Sequence, residues 1–290
     1  FPEAIAHASI FLTSVQVRSV LVPQAAIVIG RTTLSRSINA LVGLAPLLYV
    51  IDPRIATVDS DRSADKRFTE IPVLDNVMAS DDWIAEWRKH SARCAKLISE
   101  LDGWNEASIA RHIGEAIPDG SALFISSSRP IRDFEGFATP RLGVTTYANR
   151  GLAGIDGNIS SALGIASGHL QTFAVLGDLA FLHDITGLIE CEDINCKFIV
   201  INNDGGGIFS TLSQRGIEGF EKVFGTPHGL DPAAIAMSFG VPSTTITSIA
   251  ELKNELAAPI KGVSVVVAKV QSREANAEYL KSIYEKMSSI

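Results

Sequence analysis

The sequence predicts an α/β fold built on parallel sheets. Strand-length apolar runs alternate with stretches of helical periodicity along most of the chain. Two of those runs end in glycine-rich polar turns, and no repeat, heptad array or low-complexity tract points to another architecture. Such alternation implies parallel strands joined by right-handed crossovers.

In chain order, Ala25–Ile29 reads as a buried strand, Gly30 as a turn, and Ser35–Leu44 as a helix before a second strand at Leu47–Ile51. From Asp52 to Ile71 the chain turns charged, through Asp59, Asp61, Arg62, Asp65, Lys66 and Arg67, and reads as a solvated loop. A helix over Asp81–Leu101, capped by Ser80 or Asp81 and stopped by Gly103, places Ile84, Trp87, Leu97, Ile98 and Leu101 on one face. Trp83 and Trp87, four apart, read as packing rather than as a binding platform. A boundary near Val73–Ser80 gives a first domain over 1–78, a linker helix over 79–104 and a second domain over 105–290. The second domain begins with a helix from Asn105 or Glu106 that ends before Pro118. Strands are expected at Ala122–Ile125, Phe173–Leu176, Phe198–Ile201, Thr244–Ile246 and Val263–Val267. Helices are expected at Asn158–Ser167, Leu179–Glu190, Pro232–Phe239, Ser248–Leu256 and Arg273–Met287.

Composition narrows the function classes. With 290 residues, 46% of them hydrophobic, the chain can bury a sizeable core, and two domains are the expectation. A net charge of −7 argues against a general nucleic-acid binder. No apolar run reaches the roughly 18 residues of a membrane span, and no signal peptide is visible. The chain opens on Phe1 and so reads as a fragment or a processed product. Three cysteines, Cys94, Cys191 and Cys196, suggest a reduced intracellular protein. Cys191 and Cys196 lack a second pair at zinc-ligand spacing and read as ordinary thiols.

Two strand ends carry the chemistry. The run Val175-Leu-Gly-Asp-Leu179 ends a strand in Gly177 and Asp178 and starts a helix at once. Ligands of open α/β sheets bind outside the carboxyl ends of strands, and helix N-termini favour phosphates. Asp178 offers a hard oxygen ligand for magnesium. One helix later, Ile199–Phe209 ends the next strand in Asn202, Asn203, Asp204 and three glycines. The two ends are expected side by side, so an Asp, an Asn and a backbone carbonyl meet one magnesium that keeps positions for diphosphate oxygens. Each motif alone is also ordinary turn chemistry; the pair at this spacing is more specific.

Gly177-Asp178 followed by Asn202-Asn203 resembles the diphosphate-binding fingerprint of thiamine-diphosphate enzymes. More narrowly, Tyr147–His228 resembles the 2-succinyl-5-enolpyruvyl-6-hydroxy-3-cyclohexene-1-carboxylate synthases of menaquinone biosynthesis. The carrying segments are Asn149–Gly157, Gly177–Asp184, Asn202–Ser210 and Phe224–His228. The resemblance implies a three-layer, parallel-sheet diphosphate-binding domain, complete over 105–290, preceded by part of a Rossmann-like middle domain. It implies that Asp178, Asn203 and the Gly205 carbonyl hold Mg²⁺ or Mn²⁺. Gly177, Leu179, Ala180 and Gly206 would join them around thiamine diphosphate, with Ile155 under the bent cofactor. Ser128, Arg132, Arg150, Ile208 and Phe209 would meet the substrates 2-oxoglutarate and isochorismate, and Arg36 falls near a basic position of the same pocket. The family often has a hydroxyl residue where this chain has Ala180, which removes one polar contact. The family's amino-terminal, pyrimidine-binding domain, with its activating glutamate, lies outside the resemblance, so no catalytic residue is assigned and the chain alone is expected to be inactive. A cytoplasmic homo-oligomer is implied as well.

The arginines agree with that reading on their own chemistry. Arg129, Arg132, Arg141 and Arg150 cluster in an acidic chain, and guanidinium forks bind carboxylates in bidentate fashion. For Arg129 and Arg141, salt bridges to neighbours such as Asp133 and Glu135 are an equal expectation. His183, beside Asp184, and His228 are assigned no catalytic role. Two other readings stay open: another thiamine-dependent carboligase or decarboxylase of the acetolactate-synthase kind, and an inactive module that binds magnesium or diphosphate.

Overall fold

The computed structural model describes residues 4–31, 34–54, 63–73, 80–189, 191 and 194–288. The chain divides into two compact units, residues 1–100 with 283–290, and residues 101–282.

In the first unit, helices α1 (Ala8–Phe11) and α2 (Val15–Val20) precede β1 (Ala25–Ile29), α3 (Arg36–Val42), β2 (Leu47–Ile51), β3 (Lys66–Phe68) and α4 (Asp81–Ser99). The strands form one parallel sheet in the order β1-β2-β3. β3 lies in the stretch read as a solvated loop. Its charged residues hide it from a hydrophobic pattern, yet Asp65 Oδ2 accepts from Leu48 N at 2.7 Å and seats the strand against β2. Asp59, Asp61 and Arg62 lie outside the described residues, as does most of the expected boundary at Val73–Ser80. α4 starts where expected, with Ser80 Oγ accepting from Trp83 N at 3.3 Å. It belongs to the first compact unit rather than standing between two units as a linker. Trp83 and Trp87 pack edge to face at 5.5 Å, and Trp87 meets Phe11 at 5.9 Å.

The second unit holds α5 (Glu106–Ala116), β4 (Ala122–Ile125), α6 (Arg129–Phe137), β5 (Thr145–Tyr147), α7 (Asn158–Ala166), β6 (Thr172–Gly177) and α8 (Asp178–His183). After these come β7 (Cys196–Asn202), α9 (Pro232–Ser238), β8 (Ser243–Ile246), α10 (Ile249–Ala257), β9 (Val263–Lys269) and α11 (Arg273–Ser288), whose end reaches into the first unit's residues. Six strands form a wholly parallel sheet in the order β5-β4-β6-β7-β9-β8. Successive residues of each strand face opposite layers. Phe124, Ala174, Leu176, Phe198, Val200, Val265 and Val267 pack with Ile159, Ala162, Phe181 and Ala236, from α7, α8 and α9. Leu123, Ile125, Phe173, Val175, Ile199, Ile201 and Val266 pack with Ile109, Ile113, Phe134 and Leu252, from α5, α6 and α10. Burial on both faces explains why these strands read as continuous apolar runs. The α/β class expected from the sequence is therefore the class observed, as two parallel sheets.

One helix differs. The stretch expected as a helix over Leu179–Glu190 breaks after His183 and continues as a 3₁₀ turn at Ile185–Leu188. Asp184 does not pair with His183; its Oδ2 accepts from Ser160 N at 2.9 Å. Glu190 lies outside the described residues. Cys94, Cys191 and Cys196 are buried free thiols, and burial pushes Cys94 up to about 12. Among the described residues no three His, Cys, Asp or Glu side chains gather as a metal cluster, and no helix is long and apolar enough to cross a membrane.

Candidate functional site

Strand order locates the site. After β4 the chain steps outward to β5 and then returns to the other side of β4 as β6, so the crossovers diverge between β4 and β6. A crevice opens at the carboxyl ends of strands at such a switch point. A cavity of about 460 Å³ lies there, lined by the residues that follow β4, β6 and β7.

From β6 comes Asp178, which is 2% exposed. Its Oδ1 accepts from Leu179 N at 2.6 Å. Its Oδ2 accepts from Gly205 N at 2.9 Å and Asn203 N at 3.2 Å. Burial raises the Asp178 pKa, while the amides and His228 pull it back. From β7 comes Asn203, whose Nδ2 donates to Glu106 Oε1 at 2.6 Å. Its Oδ1 is shielded and has no hydrogen-bond partner. Gly205 sits at φ 132°, where a side chain is strained, and a Cβ there would strike the Gly225 carbonyl oxygen. A Cβ on Gly207 would strike the Asn203 amide, so this glycine leaves the Asn its position. The Gly205 carbonyl accepts from Gly207 N at 2.9 Å.

From β4 come Ser127 and Ser128. Ser128 has φ 76° and ψ −128°, a backbone that glycine favours, and its carbonyl accepts from Arg132 Nη1 at 2.7 Å. Arg150 lines the same cavity, and both it and Arg132 pull down the pKa of Glu135, which burial raises.

Every second-unit residue that the resemblance assigns to cofactor, metal or substrate lies on this cavity. Ser128, Arg132, Arg150 and Ile155 line one part, and Gly177, Asp178, Leu179 and Ala180 the strand end beneath. Asn203, Gly205, Gly206, Ile208 and Phe209 complete the lining. Arg36 lies in the first unit, at the start of α3. The two undecided arginines separate. Arg129 lines the cavity and pairs with Asp133, which is fully buried, so this is no surface bridge. Arg141 is a surface residue that pairs with Asp119 and donates to the Ile117 carbonyl at 2.8 Å.

Two neighbours of the site went unassigned in the sequence. Glu106 is 4% exposed and reaches Asn203. At the start of a helix a Glu reads as ordinary capping chemistry, and only the fold brings it to a residue 97 positions away. His228 brings Nε2 within 3.3 Å of Asp178 Oδ2, although out of hydrogen-bond alignment. Its Nδ1 accepts from Leu230 N at 3.0 Å, which places the proton of a neutral ring on Nε2, facing the carboxylate.

The donors fit a hard divalent cation. A carboxylate, an unpartnered side-chain amide oxygen and a backbone carbonyl are all oxygen ligands of the magnesium type. The start of α8 and the glycine run bring main-chain amides to the same cavity, although those of Leu179, Gly205, Gly206 and Gly207 already donate within the protein.

Comparison with known proteins agrees with this geometry. Residues 136–270 match the family described as thiamine pyrophosphate enzyme, C-terminal TPP binding domain. The crystal structure of benzoylformate decarboxylase from Polynucleobacter necessarius has a similar fold, with a TM-score of 0.58 at 16% identity over 85% of this chain and 49% of that one. Residues 136–270 thus carry a C-terminal TPP-binding domain of the kind found in thiamine pyrophosphate enzymes.

Over most of its length the chain is similar to 2-succinyl-5-enolpyruvyl-6-hydroxy-3-cyclohexene-1-carboxylate synthases. It is 35% identical to that of Thermobifida fusca over 81% of this chain and 44% of the relative. It is 38% identical to that of Lysinibacillus sphaericus over 71% and 38%, and 35% identical to that of Nocardia farcinica over 85% and 47%. The chain thus spans less than half the length of these curated relatives.

Proposed function

We propose that the chain is the carboxyl-terminal part of a thiamine-diphosphate-dependent synthase of menaquinone biosynthesis. The reaction decarboxylates 2-oxoglutarate and adds the resulting succinyl carbanion to isochorismate. The observation that carries this reading is one cavity that joins Asp178, Asn203 and Gly205 to Ser128, Arg132 and Arg150. The first three would hold Mg²⁺ or Mn²⁺ against a diphosphate, and the arginines would take the substrate carboxylates as bidentate forks. When bound, thiamine diphosphate supplies the carbanion chemistry. Ile155 would support the cofactor, while Ile208 and Phe209 would exclude water beside the substrate. The relatives extend well beyond the matched region, so turnover is assigned to the whole protein and the chain alone is read as inactive. The same reading places the protein in the cytoplasm as a homo-oligomer.

The test is calorimetric titration of the chain with thiamine diphosphate, with magnesium and then with chelator, beside Asp178→Ala. Activity is then sought after adding the amino-terminal portion of a relative. Magnesium-dependent binding that Asp178→Ala abolishes, with turnover of 2-oxoglutarate and isochorismate, is the expected result. Turnover of pyruvate instead would move the chain to the acetolactate-synthase kind. No binding even with the amino-terminal portion present would end the thiamine reading of this cavity.

A further inference from the structure

The geometry points to Glu106 as a positioning residue that fixes which end of the Asn203 amide faces the cation; this rests on the cation site proposed above. An asparagine side chain can present either its oxygen or its NH₂, and only the oxygen can ligate a metal. Nothing within Asn203 itself chooses between them. Glu106 makes the choice. Its carboxylate is an acceptor only, stands at the first residue of α5 and is 4% exposed, with Arg129 Nε 3.6 Å from Oε2. Facing that carboxylate at 2.6 Å, Asn203 has to turn its NH₂ toward Glu106, and its Oδ1 is left shielded with no hydrogen-bond partner in the protein. The flipped amide would bring two acceptor oxygens together in a buried place. Glu106 therefore acts on the cation through Asn203 and need not touch it.

Glu106→Gln removes the obligation, because a second amide can donate or accept. The test measures Mn²⁺ affinity of the 290-residue chain with thiamine diphosphate present, from the free-ion electron paramagnetic resonance signal. It also follows the Asn203 side-chain amide by NMR without metal. Glu106→Gln is expected to weaken Mn²⁺ binding ten-fold or more and to shift the Asn203 amide signals, while the thermal melt shows the fold retained. The double variant Glu106→Gln/Asn203→Asp exchanges donor and acceptor across the same contact, and again turns an oxygen to the cation. It is expected to recover most of the affinity that Asn203→Asp alone loses by facing two carboxylates. Unchanged Mn²⁺ affinity in Glu106→Gln overturns the assignment, and so does a double variant no better than its parents, which would mark Glu106 as merely structural. If the unmodified chain binds no Mn²⁺ even with the amino-terminal portion of a relative present, the cation site itself falls, and Glu106 with it.

Discussion

Gly205 N donates to Asp178 Oδ2 across 2.9 Å, and this bond ties the turn after β7 to the first residue after β6. Asn203 N reaches the same oxygen at 3.2 Å. One carboxylate thus satisfies two main-chain amides of the neighbouring strand end. The turn that would present a metal ligand is shaped by the residue that would be another.

Asp178→Ala is therefore expected to cost stability even without any ligand. The buried Gly205 amide loses its acceptor, as does that of Asn203. An unsatisfied buried donor costs about 1–3 kcal/mol, so a loss of about 2–4 kcal/mol follows. Urea unfolding of the chain without metal measures it. A midpoint equal to that of the unsubstituted protein would show that these bonds do not hold the turn.

Ser128 carries a second prediction. At φ 76° and ψ −128° its backbone sits where a side chain is strained, by about 1–3 kcal/mol. Ser128→Gly relieves the strain and loses part of the gain to unfolded-chain entropy. Ser128→Ala removes the hydroxyl and keeps the strain. The glycine variant is expected to be more stable than the alanine variant by about 1 kcal/mol, read from paired thermal melts. Both should bind 2-oxoglutarate more weakly in the assembled enzyme if the hydroxyl meets substrate. Equal melting temperatures would mean the turn relaxes.

Arg129 and Arg141 look alike in sequence and should behave differently. Above pH 7, where Asp133 is ionised, Arg129→Ala leaves this wholly buried carboxylate without its guanidinium, and a loss of about 3 kcal/mol is expected. Arg141→Ala removes an exposed pair with Asp119 and contacts to the Gly114, Glu115 and Ile117 carbonyls, all reached by one exposed guanidinium, for a loss of about 1 kcal/mol. Parallel urea titrations decide. Similar losses for the two would show that burial of Asp133 does not set the cost.

What the sequence revealed follows physical contrast. Ala25–Ile29, Leu47–Ile51 and Ala122–Ile125 were legible as strands to the residue, because apolar runs end at turn residues. Asp178 and Asn203 were legible because unusual residues stand at both strand ends. β3 was not, since Lys66 and Arg67 carry no hydrophobic signal and the strand is held by pairing with β2. α6 is hidden in the sequence because its arginines read as ligands before they read as helix. Glu106 and His228 were not legible as part of the site. Their roles depend on distances across the fold, and a glutamate at a helix start or a histidine after a Gly-Thr-Pro turn is locally unremarked.

Asp133 sets a pH dependence. Burial pushes its carboxyl up to about 7, although Arg129 beside it pulls the other way. In the unfolded chain the same group releases its proton near 3.8. Between those values the folded state holds a proton that the unfolded state has lost, so folding stability falls as pH rises through the window. Above the folded value both states are ionised and the loss is complete. The slope is at most about 1.4 kcal/mol per pH unit for one proton. Asp133→Asn has no such proton to hold. Other titrating groups are shared by both proteins, so the wild-type advantage over Asp133→Asn should shrink from pH 5 to pH 7 and level off beyond. Urea midpoints at half-unit steps follow this difference. A difference that stays constant across the range would mean that Asp133 is ionised in the fold, with Arg129 outweighing burial.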